Sequence, residues 1–508
     1  MAIFVVLLCI GVSIRISQSS TCHAQCDYDH VTARVDCSSR NLSCIPVNYP
    51  DSLVMDLSHN DISVLEPDDF SGTFTRLVEL YLDYNNISDV TSLLDATGLG
   101  SLQRLSLQHN VISALQFSCS LNSLINISLD YNFLSGSFSF PRCTALEYLS
   151  ANFNLVNGFS YYNLISAISL QFNEISSFRV TSTDVSTLLL DNNKIHRFSF
   201  TGNTLNLVSL SHNKLTTLTL TVLSLYELNI ANNEFKDIQS VDVRQSGGNN
   251  LKKLDISSNS FDSLIQPDWA EGLQILHADD NILANLSSTT LQGFSSLTEL
   301  HLANNRLVFI STTALSQLTK LRSLYLDGNA LTSFLGGVFL NQTDLVEISI
   351  TNNQLSELHP DSFLGLDSLE RLYLAGNRLV YAHSELFRQM PDLTTMDVSN
   401  NELEVFDIRN CSRLRNLTNL MLANNSISNI SLILGHCENL VVLDLSFNQI
   451  QVVPCESLKE GNRALSRLEL EGNPLHCDCQ SKFLWHWLRI NPPSVRPRCQ
   501  TFSFGEYI

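Results

Sequence analysis

The sequence predicts an α/β solenoid, a horseshoe of about 19 repeats with a parallel β-sheet on its concave face. Two observations predict it. Nineteen asparagines, from Asn60 to Asn473, recur at steps of 19 to 26 residues, with five consecutive steps of 24 between Asn305 and Asn425. Each sits in the same apolar frame, LxxLxLxxNxL, as in Leu321, Leu324, Leu326, Asn329 and Leu331. In that unit Leu324 and Leu326 alternate with Ser323, Tyr325 and Asp327, the period of a strand with one buried face. So short a strand cannot bury its leucines alone, so the repeats must stack and share one core. The asparagine follows where the chain turns from the sheet. Its amide both donates and accepts there, satisfying turn groups that no strand ladder reaches.

The elements follow in chain order. Residues 1–19 read as a signal peptide, with an apolar run from Ile3 to Ile10 and Ser17 and Ser19 suited to a cleavage site. Residues 20–50 form an N-terminal cysteine cap and residues 51–475 the repeats. Between Asn154 and Asn233 the steps shorten to 19 and 20, too few residues for a helix on the convex side. Turns or short strands and altered curvature are expected over 154–240. The longer step to Asn259 carries Ser246, Gly247, Gly248 and Asn249, a turn-rich insertion. Residues 476–508 form a C-terminal cap. No later run of about 20 apolar residues occurs, so a membrane enters the reading only through a segment outside these residues.

The two ends carry a resemblance. The repeat consensus is that of leucine-rich repeats. Cys22, Cys26, Cys37 and Cys44, with VDCSSRNLSCIP from Val35 to Pro46, resemble the N-terminal cap of extracellular members of that superfamily. Tyr28 stands where that cap commonly has a cysteine, and Cys44 is extra. Four cysteines permit three pairings; Cys26–Cys37 as a hairpin staple, with Cys22–Cys44 outside it, is favoured. NPLHCDC from Asn473, an amphipathic stretch with Phe483, Leu484, Trp485, Trp487 and Leu488, and then Cys499 resemble the C-terminal cap. That resemblance implies Cys477–Cys499 and a fourth cysteine for Cys479. Ile508 comes first, which leaves either an unfinished cap or a free Cys479. His476, Cys477, Cys479 and Cys499 can also be drawn as a zinc site, but the cap spacing favours disulfides, and neither a metal nor a cofactor is expected. Taken together, the chain resembles Toll-like receptor ectodomains or secreted leucine-rich immune proteins.

Of the other cysteines, Cys143 and Cys437 precede the first leucine of a repeat by three residues and read as small buried apolar residues, with a Cys119–Cys143 bridge as the alternative. Nine N-x-[ST] sequons, at Asn41, Asn86, Asn126, Asn285, Asn341, Asn410, Asn416, Asn424 and Asn429, point to a glycoprotein in an oxidising compartment.

A net charge of −20 argues against nucleic acid, whose phosphates would be repelled. No nucleophile motif, phosphate loop or HExxH is present, so no enzyme is expected. Residues two, four and six before each Asn face out from the sheet, and there acidic side chains outnumber the basic Arg104, Lys253, Arg371 and Arg467. Such a field favours a basic partner surface; a solvated strand face is the plainer reading. Within it His277, His301, Tyr325, Ser349 and Tyr373 fall on successive strands, flanked by Glu299, Asp327, Glu347 and Arg371, the composition of an interface anchor. A glycan on Asn126 would obstruct the face nearer the N-terminus. The expected function is extracellular recognition of a protein or microbial ligand in innate immunity, as a receptor ectodomain or soluble factor, with a homo- or hetero-dimer open to it. The alternative is an adhesion or matrix protein.

Overall fold

The structure is a computed structural model that describes residues 22 and 24–502, apart from 71, 73, 116–118, 141–142, 266, 409–410, 454–463, 478–481 and 495–496. The signal-peptide segment, Asn410, Cys455 and Cys479 therefore lie outside the described residues, as do the side chains of Cys477 and Cys499. The chain divides into two compact units, Met1–Asn163 and Leu164–Ile508, a division the repeat spacing does not announce.

The first unit begins with a hairpin, Asp27–Asp29 against Arg34–Asp36, held by Cys26–Cys37 and by Cys22–Cys44 outside it. Both N-terminal pairings agree with expectation. Parallel three-residue strands follow in register: Val54–Asp56, Glu79–Tyr81, Arg104–Ser106, Asn126–Ser128 and Tyr148–Ser150. On the return side, Ser135–Ser139 pairs in parallel with Leu155–Tyr161. Cys119 and Cys143 are bonded, with Cα atoms 5.2 Å apart, so Cys143 is a bridge and not a lone apolar residue.

The second unit repeats the plan from Ala167–Ser169 to Arg467–Glu469, every strand parallel to the next. The middle strand residue is buried and its neighbours half-buried, as in Ser323–Tyr325. Leu321, Leu324 and Leu326 are fully buried, and Phe363 and Leu366 close the core from behind. The tight stretch carries a back sheet, as its short steps require: Arg197–Gly202, Thr217–Val222 and Val241–Gln245 run in parallel, and the turn at Ser246 and Gly247 follows. The 24-residue repeats depart from the α/β expectation. Their returns are turns, two-residue strand pairs such as Tyr381–Ala382 with Val405–Phe406, and 3₁₀ turns such as Ser384–Gln389. Among the described residues two other returns hold short α-helices, Thr91–Leu94 and Ser431–His436, in a solenoid otherwise built of strands and turns. Cys411 and Cys437 are bonded to each other (Cα–Cα 5.1 Å), which corrects the reading of Cys437 as an unpaired apolar residue. At the C-terminal end the helix Lys482–Ile490 buries Leu484 and Leu488, and Leu475–Cys477 pairs with Cys499–Phe502.

The asparagine ladder works as its chemistry demands. The Asn329 amide donates to the carbonyls of Leu326 (3.0 Å) and of Leu302 in the preceding repeat (2.9 Å), while its oxygen accepts the Leu307 N–H (3.0 Å). Asn85 repeats the pattern with Leu82, Leu57 and Ile62. Each asparagine thus fastens its own turn to the one before.

Candidate functional site

The outward face of the second unit's sheet is built from the strand residues that alternate with the buried leucines. Ile275–His277, Glu299–His301, Ser323–Tyr325, Glu347–Ser349 and Arg371–Tyr373 lie side by side, so His277 pairs in register with His301, His301 with Tyr325, Tyr325 with Ser349, and Ser349 with Tyr373. Parallel strands stand about 4.8 Å apart, close to the stacking distance of rings. His277 stacks on His301 with centroids 4.2 Å apart, and His301 on Tyr325 at 4.4 Å. Ser349 interrupts the column, its hydroxyl bonded to Asp327 (2.5 Å), so Tyr373 stands one strand beyond the stack.

Glu347 joins the two tyrosine positions. It accepts from the Tyr325 hydroxyl (3.3 Å) and from Arg371 Nε (2.7 Å). Burial first, and the Glu347 carboxylate second, push the hydroxyls of Tyr325 and Tyr373 above their ordinary range, so both remain donors at neutral pH. The hydrogen bond to Glu347 holds Arg371 charged. Glu299 meets His301 Nε2 at 2.7 Å. Burial, followed by the neighbouring His301, lowers the proton affinity of His277, and burial raises that of Asp279.

Asp327 is committed elsewhere. Its Oδ1 accepts from Ser349 Oγ (2.5 Å), the Thr351 N–H (2.7 Å) and Thr351 Oγ1 (2.6 Å). The same device recurs along the face. Asp83, Asp130, Asp191 and Asp279 accept the N–H of Gln108 (2.7 Å), Asn152 (2.7 Å), Ser211 (2.8 Å) and Ala303 (2.6 Å), each in the following repeat. Asp56, Asp255, Asp397 and Asp444 accept the N–H two residues ahead in their own repeat. Glu79 pairs with Arg104 (2.8 Å), Glu227 with Lys253 (2.9 Å) and Glu469 with Arg467 (2.8 Å). The ion pairs offset part of the face's negative charge, and the aspartates' acceptor oxygens are committed to their hydrogen bonds.

In the first unit the sheet face holds a depression of about 260 Å³ lined by Tyr81, Arg104, Asn126, Asp130 and Tyr148 among others. The Asn126 sequon borders it, half-buried, while Asn41, Asn86, Asn285, Asn341, Asn416, Asn424 and Asn429 are exposed.

One set of residues escapes a reading of the strand positions alone. Immediately before the conserved-register asparagines of the first unit stand His59, Tyr84, His109, Tyr131 and Phe153, all at φ between 52° and 55°. They stack in one file with centroid spacings of 4.3, 4.1, 4.2 and 4.3 Å. In the second unit the same place holds rings at Phe172, His212 and Phe447, but from Asn304 to Asn424 it holds Asn304, Gly328, Asn352, Gly376, Asn400 and Asn424, types suited to left-handed backbone. Rings at these positions go against local preference, and stacking offsets that cost. The signal lay one residue before each asparagine.

Comparison with known proteins places the fold. The family described as Leucine rich repeat matches residues 271–331 and 329–379, and a second description, Leucine Rich Repeat, matches 250–271. The chain is similar to Tsukushi of Gallus gallus, 35% identical over 88 residues, which is 17% of this chain and 24% of that protein. It is similar to Chondroadherin-like protein of Homo sapiens, 45% identical over 53 residues, which is 10% of this chain and 7% of that protein. The chain thus spans less than a quarter of the length of either curated relative. A solved leucine-rich-repeat protein of Leptospira interrogans aligns over 91% of this chain and 95% of its own, at 19% identity and a TM-score of 0.47. No helix among the described residues is long and apolar enough to cross a membrane. Repeat consensus, parallel sheet, asparagine ladder and disulfide cap converge on a secreted or extracellular leucine-rich-repeat solenoid.

Proposed function

We propose that this chain is an adhesion or matrix protein that holds a protein partner against the outward sheet face between strands Ile275–His277 and Arg371–Tyr373. The observation that carries the reading is the stacked column His277, His301 and Tyr325, half-buried and edged by the Glu347–Arg371 pair. Rings already ordered by their neighbours lose little freedom on docking, and Tyr and Arg are the residues from which interfaces draw most of their energy. The curated relatives are matrix or adhesion proteins more than immune receptors, which supports this reading over innate-immune recognition. The paired carboxylates favour a partner chosen by shape and hydrogen bonding over a strongly basic one.

The test is an array of purified extracellular protein domains probed with the glycosylated chain and with its Tyr325→Ala/Tyr373→Ala variant. Binding of one domain that falls about tenfold or more in the variant, with an unchanged circular dichroism spectrum, supports the site; a loss of one hot-spot anchor is worth about 2 kcal/mol or more. Equal binding by both proteins moves the interface elsewhere.

A further inference from the structure

Among the described residues, His277, Asp279 and His301 form the one group of three His, Cys, Asp or Glu side chains whose ligand atoms all lie within 4.8 Å of one another. The arrangement follows from the sheet. His277 and Asp279 are two residues apart on one strand edge and so share a face, and His301 is the register partner of His277 on the next strand. The frame beneath is fixed by the ladder, with the Ala278 N–H on the His301 carbonyl (3.0 Å) and the Asp280 N–H on the Ala303 carbonyl (2.9 Å).

The hydrogen bonds leave two acceptors facing each other. Glu299, a carboxylate, meets His301 Nε2 at 2.7 Å, which assigns the ring proton to that nitrogen. In the neutral ring Nδ1 then carries a lone pair. That lone pair lies 3.8 Å from Asp279 Oδ2, while Asp279 Oδ1 is already bound to the Ala303 N–H (2.6 Å). A lone pair opposite a carboxylate oxygen is unfavourable unless a proton or a metal cation lies between them. A carboxylate behind the far nitrogen of a histidine is also the arrangement that orients such a ligand toward a metal and strengthens its basicity.

We propose that this corner of the sheet binds a divalent transition ion of the zinc class through His277, His301 Nδ1 and the Asp279 carboxylate, with Glu299 orienting His301. Two imidazoles and one carboxylate match zinc better than calcium or magnesium, which take oxygen ligands. Side-chain torsions need to close the donors to about 3.3 Å from one another to share an ion at about 2.0–2.2 Å. Three ligands leave a fourth position to water or to a partner's side chain. The ion shares His277 and His301 with the proposed docking column, but its uptake is measured on the chain alone, without any protein partner.

Isothermal titration of the intact, oxidised chain with zinc chloride tests this. One zinc per chain is expected, with affinity lost in His277→Ala and His301→Ala and weakened about tenfold or more in Glu299→Gln, as outer-shell substitutions do. Circular dichroism checks that each variant folds. Should a histidine variant misfold, Asp279→Asn, which keeps an acceptor for the Ala303 N–H, replaces it and is expected to abolish binding. No uptake by the wild-type chain overturns the proposal. So does uptake unchanged in every variant that folds, which would place the ion elsewhere.

Discussion

At the scale of single residues, the acidic strand positions show how one residue type serves two ends. Asp83 accepts from Ser106 Oγ (2.6 Å) and from the Gln108 N–H (2.7 Å), tying its repeat to the next. Burial raises its pKa against the lowering effect of those two bonds. A carboxyl whose folded pKa is raised contributes stability that is fully present below its unfolded value, about 3.9, and is lost as pH rises through the folded value. At neutral pH its charge is therefore a burden and its acceptor oxygens are the asset. Asp83→Asn keeps an acceptor and removes the charge. It is expected to raise the urea midpoint at pH 7 and to leave it unchanged at pH 3. A fall at pH 7 would mean that the charge itself stabilises the bridge. Sequence alone showed the acidity of this face but not its partners, because the hydrogen bonds run between residues about 20 to 25 positions apart.

At the scale of the repeat, the asparagine carries the inter-repeat bonding that leucine burial alone would leave to shape. Replacing Asn329 with Ala leaves the Leu307 N–H without its acceptor, while the carbonyls of Leu302 and Leu326 keep the amides of Asn305 and Asn353 as donors. A buried group left unsatisfied costs about 1–3 kcal/mol. The loss should concentrate where the bonds were, since repeats answer chiefly to their neighbours. Amide exchange at Leu307 is expected to quicken by about tenfold or more in Asn329→Ala, with distant repeats unaffected; uniform quickening would show a cooperative unit larger than adjacent repeats. This ladder and the sheet were legible because the period sets both. The returns were less so. Returns of nearly equal length hold an α-helix at Ser431–His436 and a strand pair at Asn285–Leu286 with Phe309–Ile310, so length alone does not choose between them. Cys437 precedes the first leucine of its repeat, Leu440, by three residues, whereas Cys411 precedes Leu417 by six. Equal positions in successive repeats are spatial neighbours, but these cysteines are three positions out of register, so the spacing does not pair them. The candidate column was read from the same register, but its break at Ser349 and the Glu299–His301–Asp279 contacts depend on side-chain torsions that no spacing encodes.

At the scale of the whole molecule, the chain spends its excess of acid on itself. On the sheet face Arg104, Lys253, Arg371 and Arg467 each lie beside a glutamate and Arg34 lies beside Asp56. What remains outward is a run of rings in each unit, in two different registers: the strand column from His277 to Tyr325 and the turn file from His59 to Phe153. The two bridges behind the sheet add a mechanical property. Cys119–Cys143 and Cys411–Cys437 close segments of 24 and 26 residues. Under tension, the backbone between bonded cysteines carries no load, because force passes through the sulfurs. Fully extended chain spans about 3.3–3.6 Å per residue, so the two bridges together withhold about 170 Å of extension. Single-molecule pulling is expected to give a total contour length longer by that amount after Cys119→Ser and Cys411→Ser than in the oxidised chain; equal lengths would show that the bridges are open. A solenoid with these bridges stays short while its repeats peel apart.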